Sequence, residues 1–387
     1  MFVWMVLAAF GTIPGADPSG AADSSVALNK AIRRLCNATG SAGVSPLGTV
    51  GGAIARDASL DLEGGIYRLA APIAVNASVV CTGMLRIHGG TLLADPSLAD
   101  HRVPSESNPA GTNHSFLVTV LDYWNGLGVT MENIVFASNG TGGGLRVDAA
   151  HCVHVVDSQF LAFATIGIWG SKLLGMGHDL AVDRVRLTEC VHEMAACADI
   201  TKKQATAIVI EFPDSHFRNS VIACGKRGIV NRAGANDFKS LHIWTSCTGD
   251  ESPSSNTTVG FADEVGSSRV SDCYFDNSLV VLSGYRGTTF VNNYFNGGAR
   301  LVVNPPVKIE QRENQTVVVP VRPVRFVVFC HDACILAAGT TALRRCHKRS
   351  RAVLLETSLT PRAHVRLPSP LSPSLAHRCA RRRRRAK

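Results

Sequence analysis

The stretch ATAIVIEFPDSHFRNSVI, residues 205–222, holds two short apolar runs joined by a turn. The first run is TAIVI and the second ends in SVI, and both are rich in the β-branched residues that favour strands. Between them lie Pro213, Asp214 and Ser215, which are residue types typical of turns. Each run is too short for a helix of usual length, so the stretch predicts two short strands on either side of a tight turn.

This unit recurs through residues 129–303. Its first runs are MENIVF, VDSQFL, VDRVRL, RNSVIA, FKSLHI, SDCYF and VNNYF, and its second runs are GGLRV, IGIWG, TAIVI, RGIVN, VGFAD, SLVVL and ARLVV. The apolar anchors return about every 20 to 35 residues, a period typical of solenoids. Helical repeats need longer segments, and a sandwich needs hairpin turns of the Asn-Gly type, which are scarce here. The sequence therefore predicts an all-β, single-stranded right-handed parallel β-helix over about residues 41–304, with coils stacked about 4.8 Å apart.

The segment before the repeat, IPGADPSGAADSSVALNKAI at residues 13–32, reads as a turn followed by an amphipathic helix. We expect this short helix near residues 23–36, with Asp23, Ser24 or Ser25 as its N-terminal cap. It would cover the open end of the first coil, where backbone groups and core side chains would otherwise meet water. Residues 1–40 are thus expected to hold a signal-like segment or a buried first strand, followed by the capping helix.

Several stretches resemble one known family. GADPSGAADSSVALNKAI resembles the G-D-P-T-G-x-x-D-S-x-x-A-L/I-x-x-A-I opening of the pectate-lyase-like β-helix proteins, the superfamily of rhamnogalacturonase, epimerase-like and phage tailspike domains. LDLEGGIYRLAAPIAV (60–75), LRIHGGTLLAD (85–95), GVTMENIVF (128–136) and residues 205–222 look most like the plant polygalacturonases that separate pollen tetrads. The resemblance covers roughly residues 11–303. It implies a secreted or cell-wall protein that acts on an acidic plant-type polysaccharide without an organic cofactor.

The motifs through which polygalacturonases act do not transfer to this chain. N-T-D, D-D, G-H-G and R-I-K are all missing from the sequence, and the nearest string is GMGHD at residues 175–179. Glycoside hydrolysis needs two carboxyl groups, about 5 Å apart in retaining enzymes and about 6.5–9.5 Å apart in inverting ones. Stacked coils can supply such pairs, because equivalent positions lie about 4.8 Å apart on adjacent coils. The residues that follow the second runs form one such column: Asp148, Ser171, Glu211, Arg232 and Glu264.

The candidate site is drawn from acids that close a second strand or the turn beside it. The predicted catalytic residues are Glu211, Asp214, Asp237, Asp263 and Glu264. Arg232 is predicted to hold a substrate uronate and His242 to bind substrate and assist proton transfer. We expect all seven to converge on one open face, and we expect Glu211→Gln and Asp214→Asn each to cut turnover strongly while leaving the fold intact. The competing interpretation is that these acids are solvated turn residues or caps.

The predicted function is a secreted glycoside hydrolase of the polygalacturonase-like group that acts on pectic or related acidic polysaccharide. One alternative is a pectate-type lyase, with Lys226, Arg227 or Arg232 as the base and Ca²⁺ held by the acids. Another is a carbohydrate-binding β-helix without turnover. The hydrolase is expected to be a monomer that needs no cofactor or metal, binds no nucleic acid and has no membrane contact through its β-helix.

The last part of the chain differs in composition from the rest. Residues 301–387 hold 18 basic and 4 acidic residues, a net charge of +14, whereas residues 1–300 carry −5. We expect residues 305–387 to be a largely disordered or aberrant tail, and a chain ending near Asn304 to fold and keep its activity. One alternative is a membrane span at about 326–343, and another is a nuclear or nucleic-acid-binding tail. Six sequons, at Asn37, Asn76, Asn113, Asn139, Asn256 and Asn314, favour an extracellular or cell-wall glycoprotein.

Overall fold

The computed structural model describes residues 13–38, 57–101, 115–189, 205–244 and 259–303, apart from positions 82, 124–126, 224–225, 285–287 and 297–298. It also gives the backbone of Leu7–Ala8 and of short strands between residues 307 and 365. The strands of the main body are, in chain order, β1 (Leu7–Ala8), β2 (Ser19–Asp23), β3 (Ala58–Asp61), β4 (Ile66–Leu69), β5 (Ile73–Asn76), β6 (Met84–Ala94), β7 (Phe116–Leu121), β8 (Gly128–Ala137), β9 (Gly143–Asp148), β10 (Val153–Val156), β11 (Gln159–Leu161), β12 (Ile166–Ser171), β13 (Leu180–Asp183), β14 (Arg186–Thr188), β15 (Thr206–Ile210), β16 (His216–Arg218), β17 (Val221–Ala223), β18 (Arg227–Asn231), β19 (Asp237–Lys239), β20 (His242–Trp244), β21 (Val259–Asp263), β22 (Arg269–Ser271), β23 (Tyr274–Asp276), β24 (Leu279–Leu282), β25 (Thr289–Val291), β26 (Tyr294–Asn296) and β27 (Arg300–Val303).

These strands form three parallel stacks, because each coil of the chain contributes one strand to each stack. The first stack contains β1, β3, the first halves of β6 and β8, β10, β13, β16, β19, β22 and β25. The second contains β2, β4, the second halves of β6 and β8, β11, β14, β17, β20, β23 and β26. The third contains β5, β7, β9, β12, β15, β18, β21, β24 and β27. The predicted parallel β-helix is confirmed.

The turn between the first and second strands repeats from coil to coil. It contains one residue with positive φ, which is Asp157, Arg184, Asn219, Ser240, Asp272 or Asn292 in successive coils. Asn and Asp tolerate this left-handed conformation better than other non-glycine residues, which explains why such residues punctuate the repeat. The residue after each of these turns again points inward, so the chain bends without interrupting the core.

Aromatic and aliphatic side chains at register-equivalent positions fill the interior. Phe136 and Phe160 lie opposite each other in the register and stack with ring centroids 4.2 Å apart. Phe217 and Phe238 form another such pair on the first stack, with centroids 5.2 Å apart. Burying a Phe side chain contributes about 1.5–3 kcal/mol, so these ladders account for much of the cohesion between coils.

A helix covers the N-terminal end of the solenoid, as the sequence predicts. Helix α1 (Ser25–Ala38) packs Leu28, Ile32 and Cys36 into the core. The Oδ1 atom of Asp23 accepts hydrogen bonds from the backbone N–H and the hydroxyl of Ser25, at 3.0 and 2.6 Å, and so caps the helix. Cys36 forms a disulfide with Cys81, which joins the last turn of α1 to the turn after β5.

The short preceding motif holds the chain as it enters the helix. The Asp17 carboxylate accepts hydrogen bonds from the Ser19 hydroxyl and backbone N–H, and from the Ala22 backbone N–H. These bonds, led by the Ser19 hydroxyl, lower the pKa of Asp17 to about 2. The D-P-S-G sequence is therefore a local hydrogen-bonded turn that delivers the chain to α1.

Beyond β27 only backbone is described. The strands are β28 (Val307–Arg312), β29 (Gln315–Pro320), β30 (Arg325–Val328), β31 (Val353–Glu356) and β32 (Ala363–Val365). Most of the proposed tail, including most of the 326–343 segment, lies outside the described residues, so the predicted division at residue 304 stays a prediction. No helix among the described residues is long and apolar enough to span a membrane.

Candidate functional site

The column expected from the sequence exists at the end of the third stack. Asp148 pairs in register with Ser171, and the positions before Glu211, Arg232 and Glu264 pair in the same way along β15, β18 and β21. Backbone bonds from Glu211 to Gly170, and from Glu264 to Asn231, continue this alignment past the strand ends. The predicted register is therefore confirmed, and these side chains point outward from successive coils.

Arg232 joins two carboxylates from the coils on either side of it. Its Nη1 atom lies 3.2 Å from Oε1 of Glu211, and its Nε atom lies 3.1 Å from Oε2 of Glu264. The three side chains differ in access to solvent: Glu211 is 1% exposed, Arg232 30% and Glu264 46%. The array thus presents one buried acid and one accessible acid on a single guanidinium.

A second group of polar side chains lies on the same outward face, on the coils before this array. Nη2 of Arg146 donates to Oδ2 of Asp148 at 2.6 Å, and the Ser171 hydroxyl donates to the same oxygen at 3.0 Å. The Arg146 guanidinium also lies over the Trp169 ring, 5.3 Å from its centroid, and Trp169 Nε1 donates to Oε2 of Glu211 at 3.3 Å. Contacts therefore run without a break from Asp148 to Glu264 across five coils.

Sequence reasoning included Asp148 and Ser171 in the column but left them and Arg146 out of the site. The signal for Arg146 was available, because it lies two residues before Asp148 on a strand and therefore on the same outward face. Trp169 occupies the equivalent position one coil later. Both side chains are buried, as is Asp148.

Asp263 does not belong to this outward array. It alternates with Glu264 along the chain and points into the corner of the solenoid, where it is fully buried. Its Oδ1 atom accepts from Asn231 Nδ2 at 3.0 Å and from the Gly266 backbone N–H at 2.9 Å, and Oδ2 accepts from the Thr288 hydroxyl. These contacts give Asp263 a structural role at the turn.

Three further predicted residues lie apart from the Glu211–Arg232–Glu264 array. Asp214 is exposed in the following turn with φ of 60°, a conformation that Asp adopts more readily than most residues. Asp237 is on the outer face of the first stack, where Arg218 Nη2 donates to its carboxylate at 3.0 Å. His242 is on the outer face of the second stack, with its ring against that of Tyr274. The expected convergence of all seven residues on one face is therefore wrong for these three and for Asp263, because the coil distributes them over different stacks and directions.

The GMGHD string forms a separate polar corner. His178 Nδ1 lies 3.0 Å from Oδ2 of Asp179, and the rings of His151 and His178 are 6.1 Å apart. Burial, helped by the nearby His178, lowers the pKa of His151. This corner starts four residues after Ser171, in the loop that connects β12 to β13.

The arrangement of Glu211, Arg232 and Glu264 suits the binding of an anion together with proton transfer. A guanidinium has five N–H donors, and the two contacts described here use two of them, which leaves donors for a third carboxylate. Within the described residues, no cluster of three or more His, Cys, Asp or Glu side chains could hold a metal ion.

Comparisons with known proteins give solved structures with low TM-scores and low sequence identity. No protein-family model matches the chain, and no curated protein sequence matches it. Among solved structures, a glycosyl hydrolase candidate from Parabacteroides merdae is 10% identical over 59% of this chain and 92% of its own, with a TM-score of 0.40. The tailspike protein of E. coli bacteriophage HK620, solved with a hexasaccharide, is 10% identical over 75% of this chain and 60% of its own, with a TM-score of 0.38.

A third similar structure is WceF of Pantoea stewartii, described as a glycan biofilm modifying enzyme with a tailspike-like parallel β-helix. It is 10% identical over 87% of this chain and 43% of its own, with a TM-score of 0.39. The assignment of this chain to the parallel β-helix architecture rests on its own strand register.

Proposed function

We propose that this chain is a glycoside hydrolase that acts on an acidic polysaccharide. The observation that carries the proposal is the pair of carboxylates, Glu211 and Glu264, held on one guanidinium, that of Arg232. Both carboxylates contact this guanidinium, at 3.2 and 3.1 Å, and glycosidases use two carboxyl groups about 5–9.5 Å apart. A uronate-containing glycan is the substrate class that such a guanidinium favours.

In this proposal a uronate of the substrate competes for Arg232. Its carboxylate accepts hydrogen bonds from the guanidinium donors that these two contacts leave free, so it shares the cation with both acids and weakens their ion pairs. Glu264, the more accessible acid, takes up a proton from solvent and donates it to the glycosidic oxygen as the bond to the anomeric carbon breaks. Glu211 is the second carboxylate, which receives a proton from the attacking water or attacks the anomeric carbon itself.

The sequence resemblance supports a pectic glycan, and the sequons support secretion to the extracellular space or cell wall. Asp214, Asp237, Asp263 and His242 are not part of this mechanism. The lyase remains the rival enzyme, and a binding protein without turnover remains the rival from another class.

The test is release of reducing ends from polygalacturonate by the full-length chain. Glu264→Gln should lower the rate by at least about 100-fold, as expected when a general acid is lost. Glu132→Gln is the matched control, because Glu132 is an exposed glutamate on the first stack, 3.8 Å from Arg86. Equal rates for the wild type and Glu264→Gln would reject the site. An unsaturated product that absorbs ultraviolet light would identify a lyase, and binding without any product would identify a non-catalytic protein.

A further inference from the structure

A second surface on this chain has the features of a carbohydrate contact. It lies on the outer face of the second stack, at the C-terminal end of the described coils. His242, Tyr274 and Tyr294 are register-equivalent on three successive coils. The next outward position on each strand is occupied by Trp244, Asp276 and Asn296. We name these six residues the tyrosine strip.

The rings of the strip are stacked along the solenoid. Tyr274 and Tyr294 are nearly parallel, with an interplanar angle of 7° and centroids 5.1 Å apart. His242 meets the other side of Tyr274 edge-on, with centroids 4.7 Å apart. Tyr274 is thus in contact with a ring on each neighbouring coil, whereas Tyr294 ends the row among the described residues and is 58% exposed. An exposed, rigid tyrosine of this kind is typical of an interaction site.

Polar groups surround this open ring. The Tyr274 side chain hydrogen-bonds with the Asn296 side chain. Asn296 Nδ2 in turn contacts Oδ1 of Asp276 at 3.4 Å, and on the adjacent turn Asn292 Nδ2 donates to Oδ1 of Asp272 at 2.6 Å. An aromatic face bordered by amide and carboxylate groups offers both the apolar contact for the C–H face of a sugar ring and partners for its hydroxyls.

The charge of the strip selects among glycans. Among its six side chains the only fixed charge is the carboxylate of Asp276, and a second carboxylate, Asp272, lies on the neighbouring turn. These carboxylates disfavour a uronate, because no Lys or Arg is among the six side chains of the strip. The occupant that fits is an uncharged sugar residue.

We propose that the tyrosine strip binds neutral sugar residues of a polysaccharide, with one sugar ring on the open face of Tyr294. The strip lies on a different stack from Glu211, Arg232 and Glu264, so it constitutes a second glycan contact. The proposal does not depend on hydrolysis at those residues.

The test measures binding of the full-length chain to a neutral galactan by isothermal titration or affinity electrophoresis, with polygalacturonate as the comparison polymer. Tyr294→Leu, which keeps apolar bulk but removes the ring, should weaken galactan binding about three- to tenfold, whereas Tyr294→Phe should keep it. Gln159→Ala is the matched control and should leave binding unchanged. Gln159 lies in the same outward row, three coils before His242, the first residue of the strip. Thermal unfolding of each variant would verify that it is folded.

Three results would overturn the proposal: no binding of galactan to the wild type, equal binding by Tyr294→Leu, or the same loss in Gln159→Ala. Glu264→Gln separates this proposal from the proposed function, because it should abolish hydrolysis and leave galactan binding intact. Loss of hydrolysis with retained galactan binding supports both. Retained hydrolysis in Glu264→Gln together with a Tyr294-dependent affinity supports the strip alone.

Discussion

The guanidinium of Arg232 lies 3.2 Å from Oε1 of Glu211, whose side chain is almost fully buried one coil away. The same guanidinium contacts the far more exposed Glu264 on the other side. One cation thus joins two acids in different environments, and the consequences of breaking each contact should differ.

Removing Arg232 should destabilise the protein through Glu211. Arg232→Ala leaves a buried carboxylate without its cation, and breaking a fully buried pair costs about 3–5 kcal/mol, so about 1–3 kcal/mol is expected for this partly exposed arginine. Glu264→Gln, which breaks the exposed half, should cost less than about 1 kcal/mol. Urea unfolding of both variants measures the difference. Similar losses of unfolding free energy in the two variants would show that the burial of Glu211 does not decide how much each ion pair contributes to stability.

Glu211→Gln should also affect stability, contrary to the expectation that it would leave the fold intact. That expectation treated Glu211 as an exposed turn acid, whereas its side chain is buried and accepts from Trp169 and Arg232. Turnover measurements on this variant therefore need a parallel unfolding curve.

Asp263 and Asp214 should behave oppositely on substitution. Asp263→Ala removes the acceptor for Asn231, Gly266 and Thr288 in a buried corner, and should cost about 2–4 kcal/mol because several donors lose their partner. Asp214→Asn, at an exposed left-handed turn position that Asn also tolerates, should change stability by less than about 0.5 kcal/mol. We now expect Asp214→Asn to retain turnover. A large loss of turnover in folded Asp214→Asn would restore Asp214 to the site.

The disulfide should stabilise the N-terminal cap. Cys36 and Cys81 are 45 residues apart. Closing a loop of that length lowers the entropy of the unfolded chain and so stabilises the folded state by up to about 4 kcal/mol. Cys36→Ser should lower the midpoint of thermal unfolding, and reductant should then lower the midpoint of this variant less than that of the wild type. Cys273→Ser is the control, because Cys273 is a buried free cysteine that forms no disulfide. Reductant should therefore lower the unfolding midpoint of this variant by as much as it lowers that of the wild type.

Asp17 should make the N-terminal turn sensitive to acid. Its pKa of about 2 in the folded chain is below the ordinary value of 3.8, so its charged form is favoured by folding. The stabilisation is complete above about pH 4 and is lost as the pH falls towards 2. Urea midpoints of the wild type and Asp17→Asn should therefore converge across this interval. A constant gap between the two would contradict the assignment.

The sequence by itself determined the coil architecture of this protein. The recurrent apolar runs, with Asp, Asn or Ser at most of the left-handed turns, specify strand, bend and strand locally, and parallel stacking follows because every coil has apolar residues at its inward positions. The helix after the D-P-S-G turn could also be predicted, since its cap, amphipathic face and position are encoded within about 20 residues. Even the Glu211–Arg232–Glu264 column could be read, because a fixed register aligns the residues that follow equivalent runs.

Only the tertiary structure decided which acids share a face. Asp263 and Glu264 are neighbours in sequence, yet alternation along a strand directs one into the core and the other to solvent. Asp214, Asp237 and His242 were grouped with them by proximity along the chain, but three stacks and the corners between them distribute such residues around the solenoid. The burial of Glu211 and the contacts of Arg146 and Trp169 arise from side chains on different coils, so no local pattern specifies them.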